Sequence, residues 1–371
     1  MSRVKLGDVA FERKETLKNG NNQVTVGLEH LIPEEIELTQ WDEGAENTFT
    51  KAFHKGDILF GRRRAYLKKA AVASLDGICS GDITVISANE EKISPRLLPF
   101  IIQNDAFFDF AVEKSAGSLS PRVKWQHLKE YEFELPDMGK QQELAELLWS
   151  MNATKMAYKK LLEKTDELVK SQFIEMFGND DDSEYLTLEQ CCTSVTGGNT
   201  PSMKHDEYYG GDIPFIKSGD VKDAYVSAGA LWLTQEALEK TTAKYVPKGT
   251  VIVVVRSGIL KHDLPVAIAA NPVVINQDLK AFQPRPEFTS QYLAWAIKSK
   301  EDYLLRMTRA MTVDNIESKE LFSIPVMVAP LEQQKYFEHF VEQIDKSKFE
   351  LEQSIVELTA TYKKIISENL G

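Results

Sequence analysis

The sequence predicts an α+β chain in which two similar domains stand in tandem repeat, separated by two long antiparallel coiled-coil helices. Three observations carry that class. The chain has 371 residues, more than one hydrophobic core ordinarily organises. Displaced by about 193 residues, the sequence matches itself at several places, and a match at so long a period is the mark of an internal repeat. Each copy closes on a mixed polar and apolar tract with a seven-residue period, the pattern of a helix that presents a seam to a partner helix.

The elements follow in chain order. The displacement places HKGDILFGRRR (His54 to Arg64) on PKGTVIVVVR (Pro247 to Arg256), with Lys55-Gly56 over Lys248-Gly249; each reads as a turn feeding a strand. SAGSLSPRVKW, beginning at Ser115, falls on TRAMTVDNIES, beginning at Thr308, and a slightly smaller shift puts Leu135-Pro136 on Ile324-Pro325. Both copies then reach a Gln-Gln helix opening, GKQQELAELL and PLEQQKYFEHF, the pairs lying 192 residues apart. In the second tract Phe337, Ile344, Leu351, Leu358 and Ile365 form one column of sevens, with Val341, Ile355 and Tyr362 beside it. In the first, Leu144, Met151, Tyr158, Thr165 and Gln172 repeat the column, with Leu148, Leu162 and Val169, and it weakens toward its end. Asp137 suits the cap of the first helix, Pro330 the first turn of the second, and Gly178 a stop. One such seam is met by a buried helix or a homo-oligomeric coiled coil; two in one chain are met by an antiparallel pair within it. The expected division is 1–136, a first helix at 137–178, 179–329, and a second helix at 330–371, each helix roughly 58 Å long.

Composition narrows the class. With 43% hydrophobic and 27% charged residues the chain can build cores, and it holds no apolar run of the length that spans a bilayer. MSRVKLGDVAFERKE lacks the apolar stretch of a signal peptide, and Cys79, Cys191 and Cys192 make neither a disulfide framework nor a C-x-x-C site, so buried, reduced thiols and a cytoplasmic location are expected. A formal charge of −12 argues at face value against nucleic acid, yet Arg62, Arg63, Arg64, Lys68 and Lys69 lie within eight positions, a basic patch inside an acidic total.

Catalytic signatures are wanting. NPVV at Asn271 lacks the second proline and the ring of an amino-methyltransferase motif that grips an extruded adenine. No G-x-x-x-x-G-K-[ST] loop is present, and TGGNTPS at Thr196 has turn glycines without the phosphate lysine. Asp82, Glu90 and Lys92 make only a loose nuclease-like triplet. The six histidines are unpaired at metal or triad spacing. Trp125 and Trp232 read as core aromatics.

The KGDIL and KGTVIV strands, TGGNTPS followed by GGDIPFIKSGDV, the SAGSLSPRV and TRAMTVDNI loops and the PLEQQ opening together resemble the specificity subunit of type I restriction-modification enzymes, over essentially the whole chain. The first half departs from that pattern: it has PDMGKQQ where the second has PLEQQ, and no Thr-Gly-Gly counterpart. The resemblance implies target recognition domains at 1–136 and 179–329, spacer helices at 137–178 and 330–371, and a non-catalytic subunit that reads a bipartite, asymmetric duplex DNA site. It implies as partners double-stranded DNA, two modification (methyltransferase) subunits and restriction (translocase-nuclease) subunits, with S-adenosylmethionine, ATP and Mg2+ on those partners and no cofactor, metal, catalytic residue or membrane for this chain. Two alternatives stand beside it: a self-contained restriction or methyltransferase enzyme with a fused recognition domain, and a coiled-coil scaffold without a DNA role.

Base reading takes Arg, Lys, Asn, Gln, Ser or Thr side chains into the major groove, with further basic groups on phosphates. The first domain offers Arg62, Arg63, Arg64, Tyr66, Lys68, Lys69, Ser118, Ser120, Arg122 and Lys124. The second offers Thr196, Asn199, Thr200, Lys204, Lys217, Ser218, Arg256, Lys261, His262, Arg309, Thr312 and Asn315. A solvated strand end is the other account of the arginine run, because alternate strand residues face opposite ways.

Overall fold

The computed structural model describes residues 2–17, 24–44, 48–178, 183–309 and 315–370. The chain divides into two compact units, Met1–Leu161 with Leu351–Gly371, and Leu162–Glu350. Each takes in part of both long helices, and each mixes helix with sheet.

In the first unit the strands Ala10–Glu12, Ile83–Ala88, Ile58–Gly61 and Ala70–Val72 form an antiparallel sheet in that order. A second sheet holds Asp42–Glu43, Val24–Val26, Gly77–Cys79 and Lys51–Phe53, with one parallel pairing between Val24–Val26 and Gly77–Cys79. A ribbon of Ser2–Lys5 and Glu132–Leu135 ties the start of the chain to the segment that leads into the first long helix.

The second unit repeats the plan. Its larger sheet runs Cys192–Gly197, Leu279–Pro284, Val251–Val254, Val266–Ala269, Tyr225–Val226, and its smaller one Leu231–Leu233, Tyr209–Ile216, Val273–Ile275, Tyr245–Val246. The ribbon is Tyr185–Thr187 on Pro325–Met327.

Local sequence explains the matched strands. Ile58–Gly61 and Val251–Val254 are buried at every position, which is why they read as unbroken apolar runs rather than alternating ones. Each follows its Lys-Gly turn, where Gly56 and Gly249 have φ of +92° and +82°, a region that side chains rarely tolerate.

The first long helix is Met138–Phe177 and the second Leu331–Leu370, 40 residues each. The Asp137 carboxylate accepts from the Lys140 N–H at 3.0 Å and caps the first. The Pro330 carbonyl takes the opening bonds of the second. In the first unit Leu144 and Leu148 share a core with Ile366 and Leu370; in the second, Val169, Phe173 and Phe177 share one with Phe337 and Val341. Within each unit the two helices therefore run antiparallel.

The expected columns hold along the second helix, but at the end of the first the seam moves off Gln172, which is half-buried, onto Phe173 and Phe177. An α-helix drifts against a strict seven-residue repeat, and the core of the second unit rewards the shift: the Phe177 ring meets Tyr292 at 4.8 Å and the Phe173 ring meets Phe337 at 5.3 Å.

The helix openings superpose as Gln141 on Gln334, the two buried members of the pairs, 193 residues apart. That brings them onto the same displacement as the strands. Cys79, Cys191 and Cys192 are buried and free, and burial pushes the Cys79 thiol up to about 12. Trp125 packs half-buried against the core, whereas Trp232 is 39% exposed, contrary to its reading as a core ring. It sits at the centre of the edge strand Leu231–Leu233, where Leu233 takes the inward face and its neighbour points away. Among the described residues no helix is long and apolar enough to cross a membrane.

Candidate nucleic-acid interface

In the first unit the strand Ile58–Gly61 runs out into Arg62, Arg63 and Arg64, and two loops close around that end. The Arg62 N–H donates to the Asp82 carbonyl at 2.9 Å, and the Val123 N–H to the Arg62 carbonyl at 3.0 Å. Arg63 and Arg122 then face each other in an antiparallel bridge. Asp82 is the hub. Its carboxylate accepts from Arg122 Nε at 2.7 Å and Nη2 at 3.2 Å, and from Arg63 Nη1 at 3.4 Å. Arg63 Nε donates to Ser120 Oγ at 2.6 Å. The Arg122 hydrogen bond above all, with the charges of Arg122 and Arg63, holds the Asp82 carboxyl below the usual aspartate range.

Five of the residues marked in the first domain thus meet: Arg62, Arg63, Arg64, Ser120 and Arg122. Arg64 has left-handed backbone, φ 55°, its N–H bonded to the Pro121 carbonyl and its side chain exposed. Tyr66, Ser118 and Lys124 are exposed nearby in sequence. Lys68 and Lys69 do not join the cluster. Lys68 Nζ bonds Asp105 at 2.5 Å beside a cavity lined also by Lys155, Tyr362 and Lys363, and Lys69 Nζ donates to the Leu28 carbonyl at 2.6 Å. The reason is local: Lys68 is itself left-handed, φ 51°, so the chain turns away after the Ala65–Leu67 turn.

The second unit builds a similar frame, its arginine 193 residues on and its acid 196. The Val255 N–H donates to the Asp278 carbonyl at 2.9 Å, and the Ile316 N–H to the Val255 carbonyl at 2.8 Å. Arg256 faces Asn315 in an antiparallel bridge, and its Nη1 lies 3.9 Å from Asp278 Oδ1. Asn276 Nδ2 donates to the other Asp278 oxygen at 2.8 Å.

Against this loop lies the TGGNTPS segment. A Cβ on Gly198 would meet the Asn276 carbonyl oxygen at 2.1 Å, so only glycine permits the approach. The Asn199 N–H donates to the Ile275 carbonyl at 3.1 Å, Asn199 Nδ2 to Thr242, and the Thr200 hydroxyl to Gln277. Asn199, Thr200, Arg256 and Asn315 are therefore brought to one region.

Thr196 pairs with Ala281 inside the sheet, and Lys204 is exposed. The Lys217 N–H donates to Asp220 at 2.8 Å ahead of the short turn Ser218–Asp220. Lys261 and His262 are exposed at the turn Gly258–Lys261. Thr312 and the Arg309 side chain lie outside the described residues.

Sequence reasoning named Asp82 only in a nuclease-like triplet, not as the acid that organises the first frame, and it missed Asp278 in the second and Lys51, whose Nζ donates to the Ile83 carbonyl at 2.6 Å and whose burial lowers its pKa. The signal was present, since an aspartate precedes the strand at both Asp82 and Asp278, but acids are not what a search for phosphate partners collects. Glu90 and Lys92 are exposed beyond the far end of the strand that starts beside Asp82, roughly six residues or 20 Å away, so no nuclease-like triplet assembles. Among the described residues no group of three or more His, Cys, Asp or Glu side chains is placed to hold a metal ion.

Two mixed helix-and-sheet units, each carrying this arginine-aspartate frame and sharing two long helices, fit a duplicated recognition protein. The family model of the type I restriction modification DNA specificity domain matches residues 2–165 and again 180–359; the chain belongs to that family.

It is 33% identical over 176 residues to the type I restriction enzyme MjaIX specificity subunit of Methanocaldococcus jannaschii, covering 44% of this chain and 40% of that protein. It is 33% identical over 153 residues to the type I restriction enzyme EcoR124I/EcoR124II specificity subunit of Escherichia coli, covering 40% of this chain and 37% of that one. The matches thus span about two-fifths of the length of these relatives. A solved chain described under complex assembly and conformational transition of the type I R-M system has the same fold, with a TM-score of 0.62 and 22% identity, over 99% of this chain and 97% of that one.

Proposed function

We propose that this chain is a non-catalytic DNA-recognition subunit that binds a bipartite, asymmetric duplex site, one half per unit, and directs modification and restriction subunits to it. The observation that carries the reading is the duplicated frame: Arg63 with Asp82 and Arg122 in one unit, Arg256 with Asp278 and Asn315 in the other. Strand-end arginines braced by a carboxylate suit a phosphate or base edge, because a held guanidinium loses little freedom on binding. Two related but unequal frames suit two unequal half-sites, and linking two weak readers raises affinity through effective concentration.

On this reading the recognition domains are 1–136 and 179–329 and the spacer helices 137–178 and 330–371. The outer faces of the helices dock two modification subunits, restriction subunits join the same assembly in the cytoplasm, and S-adenosylmethionine, ATP and Mg2+ are bound by those partners. The test is methylation-sensitive sequencing of a host with and without this chain, its modification partner being present throughout. Adenine marks at one two-part sequence should depend on the chain, and the purified chain alone should neither methylate nor cut duplex DNA. Marks independent of the chain, or activity from the chain alone, would contradict the proposal.

A further inference from the structure

The two frames share a strand-end arginine and an acid, and they differ at the residue that faces that arginine. The strand-end residue is arginine in both, Arg63 and Arg256, and the braced acid is aspartate in both, Asp82 and Asp278. The residue that faces the arginine from the returning loop is Arg122 in the first unit and Asn315 in the second. Whatever is common to both frames cannot tell one half-site from the other; whatever differs can.

We propose that this facing position is where each unit reads a base: Arg122 takes a guanine in one half-site and Asn315 an adenine in the other, while Arg63 and Arg256 hold backbone phosphate. The assignment rests on the DNA-recognition reading above. Arg122 donates Nε and Nη2 to Asp82, at 2.7 and 3.2 Å, which leaves both Nη1 hydrogens and one on Nη2 uncommitted to that carboxylate. That edge of a guanidinium is a two-donor fork for guanine O6 and N7. The side chain remains 44% exposed while so held, a reader both accessible and preset in geometry. Asparagine offers one donor and one acceptor side by side, the complement of adenine N7 and its amino group. Asn315 is half-buried at the matching place, next to Arg256.

The experiment is methylome mapping of hosts that carry the full complex with the unaltered chain, R122N, N315R or R122K. R122N should change one position of one half-site from guanine to adenine, by roughly five- to hundred-fold in marking preference, with the other half-site and the gap retained. N315R should change one position of the other half-site from adenine to guanine. R122K keeps the charge but loses the planar fork, and should lose the guanine preference.

Variants that mark the original site unchanged, R122K that keeps it while R122N alone alters it, or changes in both half-sites at once would overturn the assignment. So would loss of all marking by R122N and N315R when circular dichroism shows them folded. If the unaltered complex marks no two-part site, the functional reading falls and takes the assignment with it; if it does and the variants leave that site unaltered, the assignment alone falls.

Discussion

Gln141 and Gln334, 193 residues apart, each accept one backbone N–H and donate to the carbonyl five residues earlier, at the openings of the two long helices. Gln141 is 2% exposed; its Oε1 accepts from the Ser94 N–H at 2.8 Å and its Nε2 donates to the Pro136 carbonyl at 2.9 Å. Gln334 is 0% exposed; its Oε1 accepts from the Thr289 N–H at 2.9 Å and its Nε2 donates to the carbonyls of Ala329 at 2.8 Å and Glu287 at 2.9 Å. In each unit one side-chain amide fastens the start of a long helix to the segment before it and to the loop ahead of a short helix. The repeated Gln-Gln is a structural rivet, and only one member of each pair serves.

Replacing Gln141 or Gln334 with leucine strands at least one buried backbone N–H and one carbonyl, so each variant should lose about 2–3 kcal/mol of unfolding free energy. Their exposed neighbours Gln142 and Gln333 should tolerate the same change within about 0.5 kcal/mol. Urea unfolding followed by circular dichroism checks both.

The basic run should divide by bonding rather than by sequence. Arg64 is exposed, so R64A should flatten the salt dependence of duplex binding by about 0.9 in slope, one phosphate contact. Lys68 and Lys69 are committed to Asp105 and to the Leu28 carbonyl, so K68A and K69A should leave the slope unchanged. Fluorescence anisotropy over a salt series separates the two outcomes.

The Asp82 carboxyl is held below its ordinary 3.8, first by its hydrogen bond from Arg122. A depressed carboxyl contributes stability that is fully present above the ordinary value and is lost as pH falls through the lowered one. Sequence-specific binding should therefore carry no Asp82-linked pH dependence between pH 5 and 8, and its loss should begin only below 3.8. In R122A the Asp82 midpoint, followed by carboxyl-carbon NMR, should rise toward 3.8.

Gly198 and Gly219 provide a matched pair. A Cβ at 198 would lie 2.1 Å from the Asn276 carbonyl oxygen, while one at 219 meets nothing within 4 Å. G198A should push the TGGNTPS segment off the Asp278 loop and weaken specific binding at least ten-fold, while G219A should bind as the unaltered chain does; anisotropy on the cognate duplex measures both.

Much of this was legible in the residues. Apolar periodicity marks the strands and the long helices because burial of one stripe or one strand is a local property. Asp137 and Gly178 mark helix ends for the same reason. The frame is different: Arg63, Asp82 and Arg122 are joined by loop closures of 19 to 59 residues in the sequence, which no local pattern records. Self-alignment already set Arg63 over Arg256 and Arg122 over Asn315, but only the bonds identify the aspartate between them. Trp232 was misread because composition favours burying an indole, whereas the phase of a three-residue edge strand decides which face it takes.

The central claim is that two units read two sequences across a gap set by the long helices. Seven residues inserted after Leu161 and seven after Glu350, the points at which the units divide, keep both seams in phase and lengthen each helix by roughly 10 Å. Methylome mapping of the variant complex should find both half-site sequences unchanged and the gap between them longer by about three base pairs, at about 34 Å per turn. An unchanged gap, or altered bases in either half-site, would contradict the account.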